Sequence, residues 1–390
     1  MIFSTFGGKG RICDNDESRT IGAVFLLLTK NGGEEMELLK KTLEDIQPID
    51  ETAKAQAMKY LDSLVKPIGS LGTLEHLAAQ LAGITGQRSN DFEKKCIIVM
   101  AADNGVHEEG VSACPQEITA AQTINMTKGM TGVCVLAKHA GAEVIVVDIG
   151  VKGELNAPGI INRKISHGTK NIAKEAAMTR EQAAKAIETG IELVGELISK
   201  GYKLFGTGEM GICNTSTSSA VLMGLSEISA DLAVGKGAGL TEEDYENKKN
   251  VIKRALEKNK PDRNDALDVV AKVGGYDIAG MAGCFLGAAY HRVPIVIDGF
   301  ISMTAALVAC RLNPLVKEYM VASHHSEEPG YMHAVKQLGL EPMFNLHMRL
   351  GEGSGCPLAF NVIEASQAVI KNMATFEQAS IKDDFLVDIR

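Results

Sequence analysis

Residues 96–105 read "CIIVMAADNG", an apolar run without polar alternation that breaks abruptly at Asp103, Asn104 and Gly105. A strand with one wet face alternates apolar and polar side chains. A strand buried on both faces does not, and such runs belong to parallel sheets covered by helices. The same texture recurs in "EVIVVDIG" (143–150), "YKLFG" (202–206), "VPIVIDG" (293–299) and "EYMVAS" (318–323), each leading through glycines or polar residues into a helical stretch. Alternating β and α elements predict a doubly wound, mostly parallel α/β sheet with helices on both faces. Ligands of such sheets sit beyond the carboxyl ends of the strands, so chemistry is expected in the segments that follow the runs.

The chain on the amino-terminal side of residue 96 has a different period. "AKAQAMKYLDSLVK" (53–66) and "LGTLEHLAAQLAGI" (71–84) carry apolar residues at three- and four-residue spacing around the breaker "PIGS", as amphipathic helices do. This predicts a small helical domain over residues 36–90, completed by other chain segments, beside an α/β catalytic domain over residues 91–390. Within the latter, residues 179–201 open on a Thr179 to Gln182 capping box and close on Gly201. Residues 241–261 start acidic and end in lysines before Pro261, matching the helix dipole. Residues 1–35 are unlike the rest and receive no function. The segment "KNGGEE" (30–35) precedes Met36, and its purine-rich codons resemble a bacterial ribosome-binding site, so Met36 is the expected native start.

The 390 residues carry a net charge of -9. That is the wrong sign for a nucleic-acid partner, whose phosphates are met by positive surface. Eight scattered cysteines without a C-x-x-C pair read as reduced, small core residues of a cytoplasmic protein. The longest early apolar run, "IGAVFLLLT" (21–29), is too short to span a bilayer and follows acidic residues instead of a basic stretch. No membrane association is expected.

Four strand-end segments offer chemistry. In "KLFGTGEMGICNTSTSSA" (203–220) the glycines Gly206, Gly208 and Gly211 spell G-x-G-x-x-G. A dinucleotide turn needs its helix to begin within the glycines, yet the cap signals Asn214 and Thr215 come later. Glu209, read as part of the loop, would repel a pyrophosphate. A single phosphate or a sugar suits the segment better. The segment "MAADNGVHEEGVSACPQEITAAQT" (100–123) supplies Asp103, Asn104, His107 and the helical Gln122, without a metal-ligand spacing. Asp298 ends a strand before Gly299. Asp277 opens a Gly- and Ala-rich helix that either meets a ligand or serves close packing. His324, His325 and Ser326 precede "MRLGEGSG" (348–355), where Gly351 and Gly353 flank Glu352. A carboxylate held on such a turn is either a general base or a solvated loop residue. No metal or cofactor is required by any of these.

Together the blocks "LVKPIGSLGTLE" (64–75), "AADNGVHEEGVSACPQEIT" (101–119), "NMTKGMTGVCVLAKHAGAEV" (125–144), "FGTGEMGICNTSTSSA" (205–220), "KVGGYDIAGMAG" (272–283), "VPIVIDGFIS" (293–302) and "MRLGEGSG" (348–355) resemble the nicotinate-nucleotide:dimethylbenzimidazole phosphoribosyltransferases. The resemblance runs from about Met36 to the C-terminus. It implies transfer of the phosphoribosyl group of nicotinate mononucleotide to 5,6-dimethylbenzimidazole, in cobalamin lower-ligand assembly, by a homodimer. The family's catalytic base matches Glu352, its phosphate contacts match Gly211, Lys248 and Ser326, and its base pocket includes Gln122. Glu209, with a catalytic role at the ribose, and Gly208, Asn214, Asp277, Asp298, Gly351 and Gly353, as substrate-binding positions, fall in the active-site motifs. Asn104 stands where the family commonly has His, and Cys114 where it often has an aromatic residue or Ser, which leaves the preferred acceptor open between 5,6-dimethylbenzimidazole and a related azole. The rival readings are an NAD-dependent oxidoreductase, from the G-x-G-x-x-G, and a non-catalytic azole or nucleotide carrier.

Overall fold

The computed structural model describes residues 36–237 and 239–390. The expectations for residues 1–35 lie outside them. A six-stranded, all-parallel sheet organises the chain: β1 (Lys95–Ala102), β2 (Glu143–Gly150), β3 (Ile160–Asn162), β4 (Leu204–Met210), β5 (Ile295–Ile297) and β6 (Met320–Ala322), in the spatial order β3-β2-β1-β4-β5-β6. From β1 the chain winds outward through β2 and β3, then returns to the other side of β1 and winds away through β4, β5 and β6. This is the expected doubly wound sheet, with its switch point between β1 and β4.

The unalternating run of β1 is explained by the two faces it serves. Cys96, Ile98, Met100 and Ala102 enter one apolar core, and Ile97, Val99 and Ala101 enter the other. Helices Arg180–Ser199, Tyr276–Tyr290 and Phe300–Leu312 cover the first face. Glu117–Thr127, Gly132–His139 and Gly355–Asn372 cover the second. Thr179 and Gln182 form both bonds of the capping box ahead of the 20-residue helix Arg180–Ser199. That helix and Tyr276–Tyr290 lie backbone to backbone: a Cβ on Gly283 would stand 1.9 Å from the carbonyl oxygen of Ile187. The glycines and alanines around Asp277 therefore serve close packing.

Three features differ from the sequence reading. The strand expected at 202–206 runs on to Met210, so Gly206, Gly208 and Glu209 lie in β4, where Gly208 pairs with Val99 and Glu209 with Met100 of β1. Their β geometry was masked by glycines that resemble a turn. The short strand β3 was not foreseen. Nor was a separate parallel pair, β7 (His324–Ser326) with β8 (Phe344–Met348), because strands of three to five residues carry too little pattern to register.

Helices Glu51–Asp62 and Thr73–Thr85 gather with the end of Gly355–Asn372 around their own apolar cluster of Ala57, Leu61, Leu64, Ala78, Ala79, Ala82 and Ile370. The C-terminal chain closes this cluster, Thr375 bridging to Leu64 and Asp388 to Ile68. The preceding helix, Glu37–Asp45, does not join it. Its Leu39 and Leu43 enter the large core beneath the sheet.

Candidate active site

Beyond the carboxyl ends of β4 and β5 lies a cavity of about 220 Å³. One wall is the turn Gly351–Glu352–Gly353, whose three residues have φ of +83°, +64° and +95°. The left-handed region is strained for a side-chain-bearing residue, and here the surroundings fix it. The Glu352 backbone N–H donates to Glu209 Oε1 at 3.0 Å. A Cβ on Gly351 would fall 2.3 Å from the same oxygen, and one on Gly208 2.3 Å from the Glu352 carbonyl oxygen. The glycines flanking Glu352, and Gly208 across from it, let the turn lie directly on β4.

The Glu352 carboxylate faces the cavity with defined partners. Gln122 Nε2 donates to Oε1 at 3.3 Å, and the Val133 N–H, in the first turn of Gly132–His139, donates to Oε2 at 3.1 Å. Gln122 is itself held by Asn125, which donates to its Oε1 at 3.1 Å. Neither Glu352 oxygen is used up, since each carboxylate oxygen accepts about two bonds.

Three more carboxyls are buried around this wall, Glu209 and Asp298 on the cavity lining and Asp277 behind it. Asn214 Nδ2 donates to Glu209 Oε2 and, at 3.2 Å, to Asp277 Oδ2. Asp298 accepts the N–H groups of Gly353 at 3.0 Å and Gly355 at 2.7 Å. Burial, reinforced by neighbouring negative charge, pushes Glu209, Asp277 and Asp298 each up to about 7. His324, near Asp298, is pushed down to about 4 by burial and by His325.

The opposite end of the cavity is cationic. Lys248 is 1% exposed, yet its ammonium meets only neutral acceptors, Thr215 Oγ1 and the Gly235 carbonyl, both at 2.9 Å. No ion pair reaches it among the described residues. Burial pushes its pKa down. Beside it the helix Asn214–Leu225 points its N-terminus into the cavity, with Cys213 in a left-handed conformation before it. The Asn214 side chain, read as a cap, makes no capping bond and instead joins the two carboxyls. A buried, unpaired ammonium beside a helix N-terminus is an anion site.

Of the residues singled out from sequence, Gln122, Glu209, Gly211, Asn214, Lys248, Asp298, Ser326, Gly351 and Glu352 line this one cavity. Gly208, Asp277 and Gly353 stand behind its wall. Asn104 is fully buried, accepting from Thr217 at 3.3 Å and donating to the Ile212 carbonyl at 3.4 Å. It does not line the cavity, and neither does Cys114, whereas Ser112 and Ala113 do. Sequence reasoning passed over Glu328 and Arg349, which also line it, and read Thr215, another lining residue, only as a cap signal. Arg349 sits inside a stretch already quoted and Glu328 two residues beyond Ser326, but nothing in their spacing set them apart. Of the remaining histidines, His347 pairs with Glu327 at 2.7 Å on the surface and His333 with Gln337 at 2.8 Å.

A phosphoribosyltransferase family model, DBI_PRT, matches residues 46–381. A nicotinate-nucleotide–dimethylbenzimidazole phosphoribosyltransferase of Clostridium tetani is 55% identical over 356 residues, covering 91% of this chain and 98% of its own. The chain belongs to the nicotinate-nucleotide:dimethylbenzimidazole phosphoribosyltransferase family. A second relative so named in the family, from Clostridium perfringens, is 51% identical over 90% of this chain. The crystal structure of CobT from Thermus thermophilus superposes with a TM-score of 0.82 at 37% identity, covering 85% of this chain and 99% of that one. Family membership and the strand conformation of Gly206 and Gly208 together remove the dinucleotide reading of the G-x-G-x-x-G.

Proposed function

We propose that the chain transfers the 5-phosphoribosyl group of nicotinate mononucleotide to 5,6-dimethylbenzimidazole or a related azole. The products are α-ribazole 5'-phosphate and nicotinate, the former a building block of the cobalamin lower ligand. One observation carries the reading: a carboxylate anchored on a strained turn, Glu352, shares a single cavity with a buried ammonium, Lys248, that makes no direct ion pair among the described residues. The relatives' names supply the two substrates.

The leaving pyridinium nitrogen already carries positive charge, so nicotinate departs without a general acid. As one ring nitrogen of the azole attacks C1', positive charge builds on the imidazole and its other N–H becomes acidic. Glu352 takes that proton, with Gln122 and the Val133 N–H fixing the carboxylate. Attack from the face opposite the leaving group converts the β-nucleotide into the α-product. The 5'-phosphate sits against Lys248, the backbone at Gly211 and the hydroxyl of Ser326. Glu209 and Asp298, at the ribose between the two ends, oppose developing oxocarbenium charge with negative potential, and Glu209 also holds the Glu352 backbone. Asp277 acts through Asn214, and Gly208, Gly351 and Gly353 shape the wall.

Free cysteines at all seven described positions, and the absence among the described residues of a helix long and apolar enough to cross a membrane, support a cytoplasmic enzyme. The homodimer is carried over from the family resemblance as part of the same reading.

The deciding experiment incubates the chain with nicotinate mononucleotide and 5,6-dimethylbenzimidazole and identifies the product by mass spectrometry. α-Ribazole 5'-phosphate is expected, and Glu352→Gln is expected to lower kcat by roughly 10²- to 10⁴-fold while azole binding persists. No product from the unaltered chain sinks the reaction; wild-type kcat in the variant sinks the assigned base.

A further inference from the structure

Among the described residues four carboxylates line the cavity: Glu209, Asp298, Glu328 and Glu352. Three are occupied by donors of the chain. Glu209 accepts from the Glu352 N–H and Asn214, Asp298 from the N–H groups of Gly353 and Gly355, and Glu352 from Gln122 and the Val133 N–H. Glu328 is different. No donor of the described chain reaches its carboxylate, and Oε2 is shut off from solvent.

The placement is built. A Cβ at Gly235 would stand 2.0 Å from Glu328 Oε2, so the carboxylate is seated where the chain leaves out a side chain. The Glu328 N–H donates to Ser326 Oγ at 3.4 Å, tying the residue to the cavity wall. Lys248 and Arg349 both act electrostatically on it, and Gly235 also supplies a carbonyl to Lys248. Glu328 thus stands at the anion-binding end, close enough to feel the Lys248 ammonium but without a direct ion pair to it. A buried acceptor left without a donor destabilises the fold, and it is retained where a ligand supplies the donor.

A nucleoside 5'-monophosphate carries its fixed donors on the ribose. The 3'-carbon adjoins the carbon that bears the phosphate arm, so its hydroxyl is the donor nearest a carboxylate beside the phosphate. We propose that Glu328 accepts a hydrogen bond from the ribose 3'-hydroxyl of the nucleotide, forming a sugar-reading subsite at the phosphate end. This rests on the nucleotide reading above. It explains a carboxylate next to an anion site: the sugar contact offsets the repulsion between two negative groups.

The test is a cycle of steady-state measurements at saturating 5,6-dimethylbenzimidazole. The unaltered chain and Glu328→Gln are each assayed with nicotinate mononucleotide and its 3'-deoxy and 2'-deoxy analogues. Loss of the 3'-hydroxyl is expected to lower kcat/KM of the unaltered chain by about 10- to 100-fold, the range for a hydrogen bond to a charged group. Glu328→Gln should lose a similar factor with the full nucleotide and no more than about 3-fold further with the 3'-deoxy analogue, as coupled partners do. Additive losses overturn the proposal, and so does coupling to the 2'-deoxy analogue instead. An unchanged or lower KM in the variant overturns it too, making Glu328 only a repulsive neighbour of the phosphate. Nicotinate riboside separates a sugar contact from one to a phosphate hydroxyl: the penalty in Glu328→Gln persists without the phosphate, and its disappearance counts against the sugar. The unaltered chain alone decides if the variant misfolds, since indifference to the 3'-hydroxyl overturns the subsite. Failure to turn over nicotinate mononucleotide at all is the separate failure of the parent reading.

Discussion

Lys248 is buried, charged against its environment, and bonded only to a threonine hydroxyl and a carbonyl. Burial disfavours its ammonium, a cost that the phosphate of the proposed substrate would offset. Lys248→Ala is therefore expected to raise the KM for nicotinate mononucleotide by about 10- to 100-fold, with kcat less affected and Tm unchanged or higher. Initial-rate kinetics and a thermal melt check both; an unchanged KM moves the phosphate elsewhere. The lysine was found through resemblance, since one lysine on an acidic-to-basic helix carries no signal of its own. That it makes no ion pair among the described residues, bonding instead to Thr215 and the Gly235 carbonyl, emerges only when helices Asn214–Leu225 and Glu242–Asn259 and the chain at Gly235 come together. Glu352 was more legible, because glycines on both sides announce an unusual backbone. Its partners were not: Gln122, Val133 and Glu209 lie between 143 and 230 residues away in sequence.

At the scale of elements, the decisive contact is the Gly351–Glu352–Gly353 turn lying on strand β4. Gly351→Ala asks a side chain to take φ of +83° with its Cβ 2.3 Å from Glu209 Oε1. The expected result is a loss of about 1–3 kcal/mol in stability and a fall in kcat that exceeds any change in azole affinity, since the Glu352 N–H bond to Glu209 is displaced. Melts and kinetics on the same preparation check it, and wild-type values for both would mean the turn relaxes freely. Strand β4 also shows why local reading failed here. Glycine weakens a strand and marks turns, so a strand containing Gly206 and Gly208 looks like a loop. Its pairing to β1 and the close approach of another turn, both non-local, make those glycines necessary. β1, with its run of apolar residues facing two cores, could be read without any partner.

The whole molecule concentrates Glu209, Asp277 and Asp298 at the centre of the sheet, each pushed up to about 7, chiefly by burial. A carboxyl whose pKa is raised on folding keeps protons that the unfolded chain has released. Its stabilisation is complete in acid and is lost as pH rises through about 7. His324, pushed down to about 4, acts oppositely, and its contribution has grown to completion by about pH 6.5. Lys248, also pushed down by burial, opposes the carboxyls on the alkaline side. Between pH 6.5 and 8 the Tm of the ligand-free protein is expected to fall, and to fall less steeply in Asp277→Asn. Parallel slopes for the two proteins, measured by calorimetry, would remove Asp277 from the set.

The helix Gly355–Asn372 has 18 residues and spans about 27 Å. Its first N–H rests on Asp298, and its far end packs with helices Glu51–Asp62 and Thr73–Thr85. It is a strut with one foot in the chemistry and the other in the outer helical layer. Those two helices, which contribute no residue to the cavity lining, are therefore its abutment, and the precision of the Glu352 turn is borne in part from outside the site.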